Sequence, residues 1–218
     1  MADQFTPIDH KSVLADLLQG GRSRGARQFA GMVRNISNTF EAASPEHRSA
    51  GMDWYDRAHE HAQKLADKYG VTVQTSSGVL SAMSPQKRWD TNKRLADQFL
   101  ATGRAGHTGA QNRLATRIVE GEDPSKVLGR VKTGNFYRNI VDPTDAGAVT
   151  IDRHAHDIAV GQRYGEEGRG LGAVGRYGLF TDAYHSATQH VNRGRDSGLI
   201  LPHQIQAVTW THWRGGSE

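Results

Sequence analysis

Thr150-Ile151-Asp152-Arg153-His154-Ala155-His156-Asp157 is the densest run of groups able to hold charge or move protons. It follows a Pro-, Asp- and Gly-rich turn at residues 142–147 and so opens a helix. Free N–H groups at a helix start favour a carboxylate, which makes Asp152 a candidate catalytic group. An ordinary helix cap is the plainer role of the same residue. On the helix Asp152 and His156 share one face, and Arg153 and Asp157 the next, the latter pair reading as an exposed ion pair worth about 0.3 kcal/mol. His59 and His61, like His154 and His156, are two apart and do not line a common helical face. A catalytic zinc needs three protein ligands, and no third accompanies Asp152 and His156, so neither a metal nor another cofactor is expected.

A second group is Ser81-Ala82-Met83-Ser84-Pro85-Gln86 followed by Lys87, Arg88, Trp89 and Asn92. The Ser84-Pro85 step should end one helix and start the next, placing Gln86, Lys87 and Arg88 at a helix N-terminus. There they could hold a phosphate or present Gln86 to a base; a helix corner with solvated charges is the alternative. A third is Gly129-Arg130-Val131-Lys132-Thr133-Gly134-Asn135-Phe136-Tyr137-Arg138-Asn139-Ile140. Lys132 at a helix start opposes the helix dipole, so it reads as a phosphate contact or, if desolvated, an amine nucleophile. Phe136 and Ile140 are core by spacing. In the last element Gln206, Trp210, Trp213 and Arg214 fall along one side, either anchoring a terminal helix or stacking on bases.

The elements that must position these groups are helical almost throughout. Ser44-Pro45 starts a run that ends at Gly70, with Met52, Tyr55, Ala58, Ala62, Leu65 and Tyr69 spaced by three or four. Residues 90–100, 111–119, 132–140, 151–164, 181–191 and 203–213 read the same way, and Asp123-Pro124 opens a shorter helix. Only residues 71–75 read as strand-like. An all-α fold of about nine helices is expected, with residues 1–43 an N-terminal arm or helical extension, 44–214 the main helical domain and 215–218 a tail. His203 and His212 show no partner and read as surface or core residues.

The 218-residue chain has no Cys, which removes disulfides, thiolate nucleophiles and iron–sulfur clusters. Its apolar runs are far shorter than a bilayer span and residues 1–11 lack a signal pattern, so a soluble protein of the cytoplasm, with no membrane partner, is expected. A mean hydropathy of −0.64 fits a polar helical protein. Lys and Arg exceed Asp and Glu by 27 to 23, a small net charge of +4 that accommodates an anionic partner without demanding one.

Taken in order, these segments resemble the helix–hairpin–helix DNA glycosylase superfamily. In that family a helix reading roughly L-L-S-A-Q-T-x-D-x-x-V-N enters the site, a Lys-containing segment follows, and V-D-T-H at a helix start carries the catalytic Asp. Val79-Leu80-Ser81-Ala82-Met83-Ser84-Pro85-Gln86 with Trp89 and Asn92 is similar to the first, and Thr150-Ile151-Asp152-Arg153-His154 to the last. The family's hairpin, L-P-G-V-G-x-K-T-A, is only partly matched at Leu128-Gly129-Arg130-Val131-Lys132-Thr133-Gly134, so a degenerate or lost hairpin is expected. The resemblance spans about residues 54–164 and implies a base-directed enzyme whose partner is DNA, with a flipped or single-stranded, modified base. Asp152 and Lys132 would be catalytic. Gln86 and Asn92 would plug the gap or read the base edge, Trp89 or Tyr137 would stack, and Lys87, Arg88, Arg153 and His154 would contact the nucleic acid. The chain is also similar to glycosylase-like phage proteins assigned to thymine hypermodification, as glutamyl/putrescinyl-thymine pyrophosphorylases. This implies the alternative of replacing an activated group on a thymine-derived base, in a host cytoplasm. A non-catalytic DNA-binding protein is the other alternative, and a monomer is expected in each case.

Overall fold

The computed structural model describes Ala15 and residues 22–165 and 168–215, and it is all-α. Eleven helices are present among the described residues: α1 (Arg22–Glu41), α2 (Pro45–Met52), α3 (Trp54–Tyr69), α4 (Val73–Met83), α5 (Trp89–Thr102), α6 (Gly109–Val119), α7 (Pro124–Leu128), α8 (Lys132–Val141), α9 (Arg153–Val160), α10 (Val174–Val191) and α11 (Pro202–Trp213). No helix among them is long and apolar enough to cross a membrane. They gather into two compact units, one of α1, α2, α9, α10 and α11 and one of α3 to α8.

In the second unit α4 is the central element, packed by α3, α5, α6, α7 and α8. Every residue from Ser76 to Met83 is buried. A helix that is apolar or small on all sides can only exist enclosed, and α4 is built that way. Gly78 is the point of closest approach: a Cβ there would sit 3.0 Å from Ile118 and 3.1 Å from Pro124. Ser76 Oγ donates to the Ala62 carbonyl at 2.7 Å, tying α4 to α3. The strand-like reading of residues 71–75 is corrected here, because the Thr72 hydroxyl accepts from the Thr75 N–H and starts α4. A short alternating run and a capped helix start share the same residue types.

α7 and α8 pack as a hairpin of two helices joined by Gly129, Arg130 and Val131. Gly129 takes φ +74°, and its carbonyl oxygen lies so close to Gly134 that a Cβ there would overlap it. Both glycines are therefore needed for the turn.

In the first unit α1 buries Met32, Ile36 and Phe40 and packs on α9, α10 and α11, while Asn35 donates to the Ala159 carbonyl at 3.0 Å. Of the 43 residues read as an arm or helical extension, those from 22 to 41 are thus a helix that forms part of the core. The others up to residue 21, Ala15 excepted, lie outside the described residues. Gly51 on α2 rests against the backbone of Val208 on α11, too close for any side chain.

The run expected from Ser44 to Tyr69 is two helices, interrupted at Asp53. The helix expected over 151–164 is shorter, because Asp152 caps it at one end and Gly161, at φ +77°, ends it at the other. α10 begins seven residues before the expected start, running through Gly175 and Gly178.

Candidate functional site

Asp152 sits at the start of α9 on a segment held rigidly from both sides. Val149 and Ile151 are fully buried. The Tyr177 hydroxyl accepts from the Ile151 N–H at 2.9 Å and donates to the Val149 carbonyl at 2.8 Å, so one side chain of α10 pins the approach to the helix. One Asp152 oxygen, Oδ1, accepts from the N–H groups of His154 at 2.9 Å and Ala155 at 2.8 Å. Oδ2 has no partner among the described residues, and the side chain is half-exposed. A carboxylate with one oxygen fixed and the other available is the arrangement a positioned acid–base or electrostatic group requires.

The residues that follow Asp152, though not Asp152 itself, border a cavity of about 200 Å³ lined by Arg153, His154, Asp157, Arg163, Tyr164, Gly165 and Arg169. The exposed Arg153–Asp157 pair expected on the helix surface does not form. Asp157 is only 4% exposed and is taken by Arg169, whose Nε and Nη2 donate to its two oxygens at 2.7 and 2.9 Å. His156, fully buried, donates from Nδ1 to Asp157 Oδ1 at 2.9 Å, and the Tyr164 N–H reaches Oδ2 at 3.1 Å. Burial works to raise the Asp157 pKa, but the hydrogen bonds from His156, Arg169 and Tyr164 outweigh it and hold the group at about 2. Burial lowers the His156 pKa against the pull of Asp157, so the ring is neutral at neutral pH and donates as the Nδ1–H tautomer. Arg153 turns its Nε to His154 Nε2 instead, at 3.3 Å.

His154 is half-buried. Burial, assisted by Arg153 and Arg214, lowers its pKa against the opposing charge of Asp152. Its ring lies edge-on to Trp210, 6.5 Å between centroids. Trp210 and Trp213 each carry a stacked guanidinium, Arg214 at 4.5 Å and Arg163 at 4.6 Å. His203 is buried, and among the described residues no group of three potential ligands is placed to hold a metal.

The remaining expected residues belong to the second unit. Gln86 and Lys87 do not lie at a helix N-terminus as expected: α4 ends at Met83, Pro85-Gln86 form a turn, and α5 begins only at Trp89, with Arg88 as its cap residue. Pro85 cannot continue α4, and Gln86 adopts φ +60°, a left-handed conformation that helices exclude. His107 anchors the turn. Its Nδ1 accepts from the Thr108 N–H, leaving Nε2–H to donate to the Pro85 carbonyl at 3.2 Å.

Gln86, Lys87 and Arg88 are exposed. Trp89 is half-exposed and joins a ring cluster with Trp54 at 5.1 Å, His61 at 6.0 Å and Phe136 at 6.4 Å, with the Lys93 ammonium 5.8 Å above its face. Asn92 is 2% exposed and its Oδ1 finds no partner, so it faces protein and not a base edge. Tyr137 is 6% exposed, and burial pushes its hydroxyl pKa up, which leaves Trp89 as the ring of the two that meets solvent. Lys132 is half-buried at the first turn of α8, with no ion-pair partner among the described residues.

These observations define an all-α protein with a clamped carboxylate beside an arginine-lined cavity in one unit and a basic turn next to an aromatic cluster in the other. The chain belongs to a family of unknown function (DUF7178), whose sequence profile it matches over residues 21–217. No curated protein and no solved structure is detectably similar to it.

Proposed function

We propose that this protein is a DNA-base-directed enzyme with glycosylase-like architecture, acting on a flipped or single-stranded, modified base with Asp152 as the key carboxylate. The observation that carries the reading is the Asp152 geometry: a cap residue on a segment pinned by Tyr177, one oxygen held by two N–H groups and the other free. A carboxylate so fixed stabilises positive charge developing at C1′ as a glycosidic bond loosens, or orients the attacking water. The α7–α8 hairpin, closed on Gly129 and Gly134, supports the kinship with helix–hairpin–helix proteins although its sequence is degenerate. In the second unit the exposed Gln86, Lys87 and Arg88 and the half-exposed Trp89 supply the chemistry of a single-stranded nucleic-acid contact: cations for phosphates and a ring for a base. Lys132, unpaired at a helix start, adds a further phosphate contact.

The arginine-rich cavity favours a second reading in one respect. If the base carries an anionic leaving group, Arg153 beside Asp152 stabilises the departing charge and the reaction is replacement on the base, not its release. Asp152→Asn abolishes either reaction while leaving salt-dependent DNA binding intact. Mass spectrometry of nucleosides before and after incubation with modified DNA separates the outcomes: a freed base, an altered base, or neither. Activity persisting in Asp152→Asn overturns the assignment. DNA binding without any reaction in the wild type leaves a binding protein.

A further inference from the structure

We infer that the cavity of the first unit is a phosphate-binding site, built to take a phosphate or diphosphate group. Its size points to a small group. At about 200 Å³ it falls below the roughly 300–1,000 Å³ of pockets that enclose drug-sized molecules, so what it encloses is a small polar group, with the rest of any larger ligand outside it.

Its charge decides the sign. The described lining holds three guanidiniums, Arg153, Arg163 and Arg169, against one carboxylate, Asp157. Glu166 and Glu167, which follow Gly165 in sequence, lie outside the described residues and outside that count. Arg169 is spent on Asp157 through two hydrogen bonds and on the Tyr164 carbonyl at 2.8 Å, so the acid is already answered. Arg153 and Arg163 have no carboxylate partner among the described residues.

The two unanswered guanidiniums are also held in place. Arg163 lies over the Trp213 ring at 4.6 Å and donates from Nη2 to the Trp213 carbonyl, which leaves its Nη1 and Nε hydrogens unused. Arg153 donates only from Nε, to His154, and keeps both terminal amino groups. Planar guanidiniums with two free N–H groups each suit the bidentate recognition of a tetrahedral oxyanion. Without an anion two like charges face one small cavity, a cost that a bound phosphate removes. The Arg169–Asp157–His156 cluster is then the support that fixes one wall. The inference stands whether or not Asp152 is catalytic.

The test is titration of the full chain with inorganic phosphate and pyrophosphate by calorimetry and phosphorus NMR. Arg153→Gln is the first variant, since the residue is exposed. It weakens pyrophosphate binding about fivefold, the upper end for one exposed charge. Arg163→Lys, which keeps the charge but loses the planar fork, weakens it as well. Lys64→Gln, an exposed cation of the other unit with no part in either site, leaves it unchanged. Asp152→Asn retains phosphate binding even where it ends a reaction on DNA, which separates failure of this inference from failure of the catalytic proposal. Competition then tells the source. Displacement of pyrophosphate by a single-stranded oligonucleotide assigns the site to a nucleic-acid phosphate, and its absence to a free or base-borne one. Binding weaker than about 10 mM for both anions, or affinity unmoved by Arg153→Gln and Arg163→Lys together, overturns the inference.

Discussion

Asp157→Asn isolates the electrostatics of the cavity wall. In the wild type the carboxylate is 4% exposed and receives both donors of Arg169, the His156 Nδ1–H and the Tyr164 N–H. Its folded pKa of about 2 lies below the free value of 3.8. A depressed carboxylate pKa stabilises the fold at pH values above the free pKa, and that stabilisation is lost as the pH falls through the folded value. The gap between 3.8 and about 2 corresponds to ~2.4 kcal/mol. About 2 kcal/mol of it disappears between roughly pH 4.5 and pH 2.

Asparagine keeps the shape, one acceptor oxygen and no charge. Urea unfolding of the two proteins should therefore show the wild type ahead by a margin that shrinks by about 2 kcal/mol over that interval. The groups facing Asp157 are His156, His154, Arg169 and, through His156, Arg176. Carbon NMR of the Asp157 carboxyl reads this one titration directly, with a midpoint near 2. A margin that stays constant from pH 4.5 to 2, or a midpoint at or above 3.8, would refute the account of the wall as a charge-paired cluster.

Gly134→Ala tests the hairpin by sign. Alanine inside an open helix stabilises by about 1 kcal/mol, but here its Cβ overlaps the Gly129 carbonyl, so a loss of about 2 kcal/mol or more in thermal or urea unfolding is expected. Gln86→Gly relieves a left-handed residue that costs about 1–2 kcal/mol, less the entropy glycine adds to the unfolded chain; a net gain of about 0.5 kcal/mol accompanied by weaker DNA binding would tie the strained turn to function. Trp89→Ala lowers single-stranded DNA affinity about tenfold and Trp89→Phe restores most of it, as measured by fluorescence anisotropy, whereas Tyr137→Phe leaves it unchanged because that ring is enclosed.

The helices were legible where punctuation and spacing agreed. Ser44-Pro45, Gly70 and Asp123-Pro124 each do locally what their residue types do in isolation, starting or ending a helix. α4 and α10 were harder for a shared reason. Glycine and serine in Val73–Met83, and Gly175 and Gly178 in α10, read as helix-weakening on propensity. In α4 small residues let neighbouring helices close in, and the packing gained there outweighs the local preference. The early glycines of α10 meet no neighbour, and the structure gives no packing reason for the helix to run through them.

The candidate site divides along the same line between local and distant causes. Asp152 could be read because capping is a contact between residues two and three apart, and that is where its hydrogen bonds fall. Asp157 reads otherwise in sequence because its i, i+4 neighbour, Arg153, is the nearest arginine, while the arginine that claims it lies twelve positions on, past Gly161 and Gly165 in a loop with no periodicity. Arg163, aimed at Trp213 fifty residues away, carries no local signal at all. The position most diagnostic of strain, Gln86, is likewise invisible to composition: its φ of +60° belongs to the turn between the proline stop and α5. What distance conceals is mostly charge partnership, and charge partnership decides which arginines of the cavity are spent on the fold and which remain for a ligand.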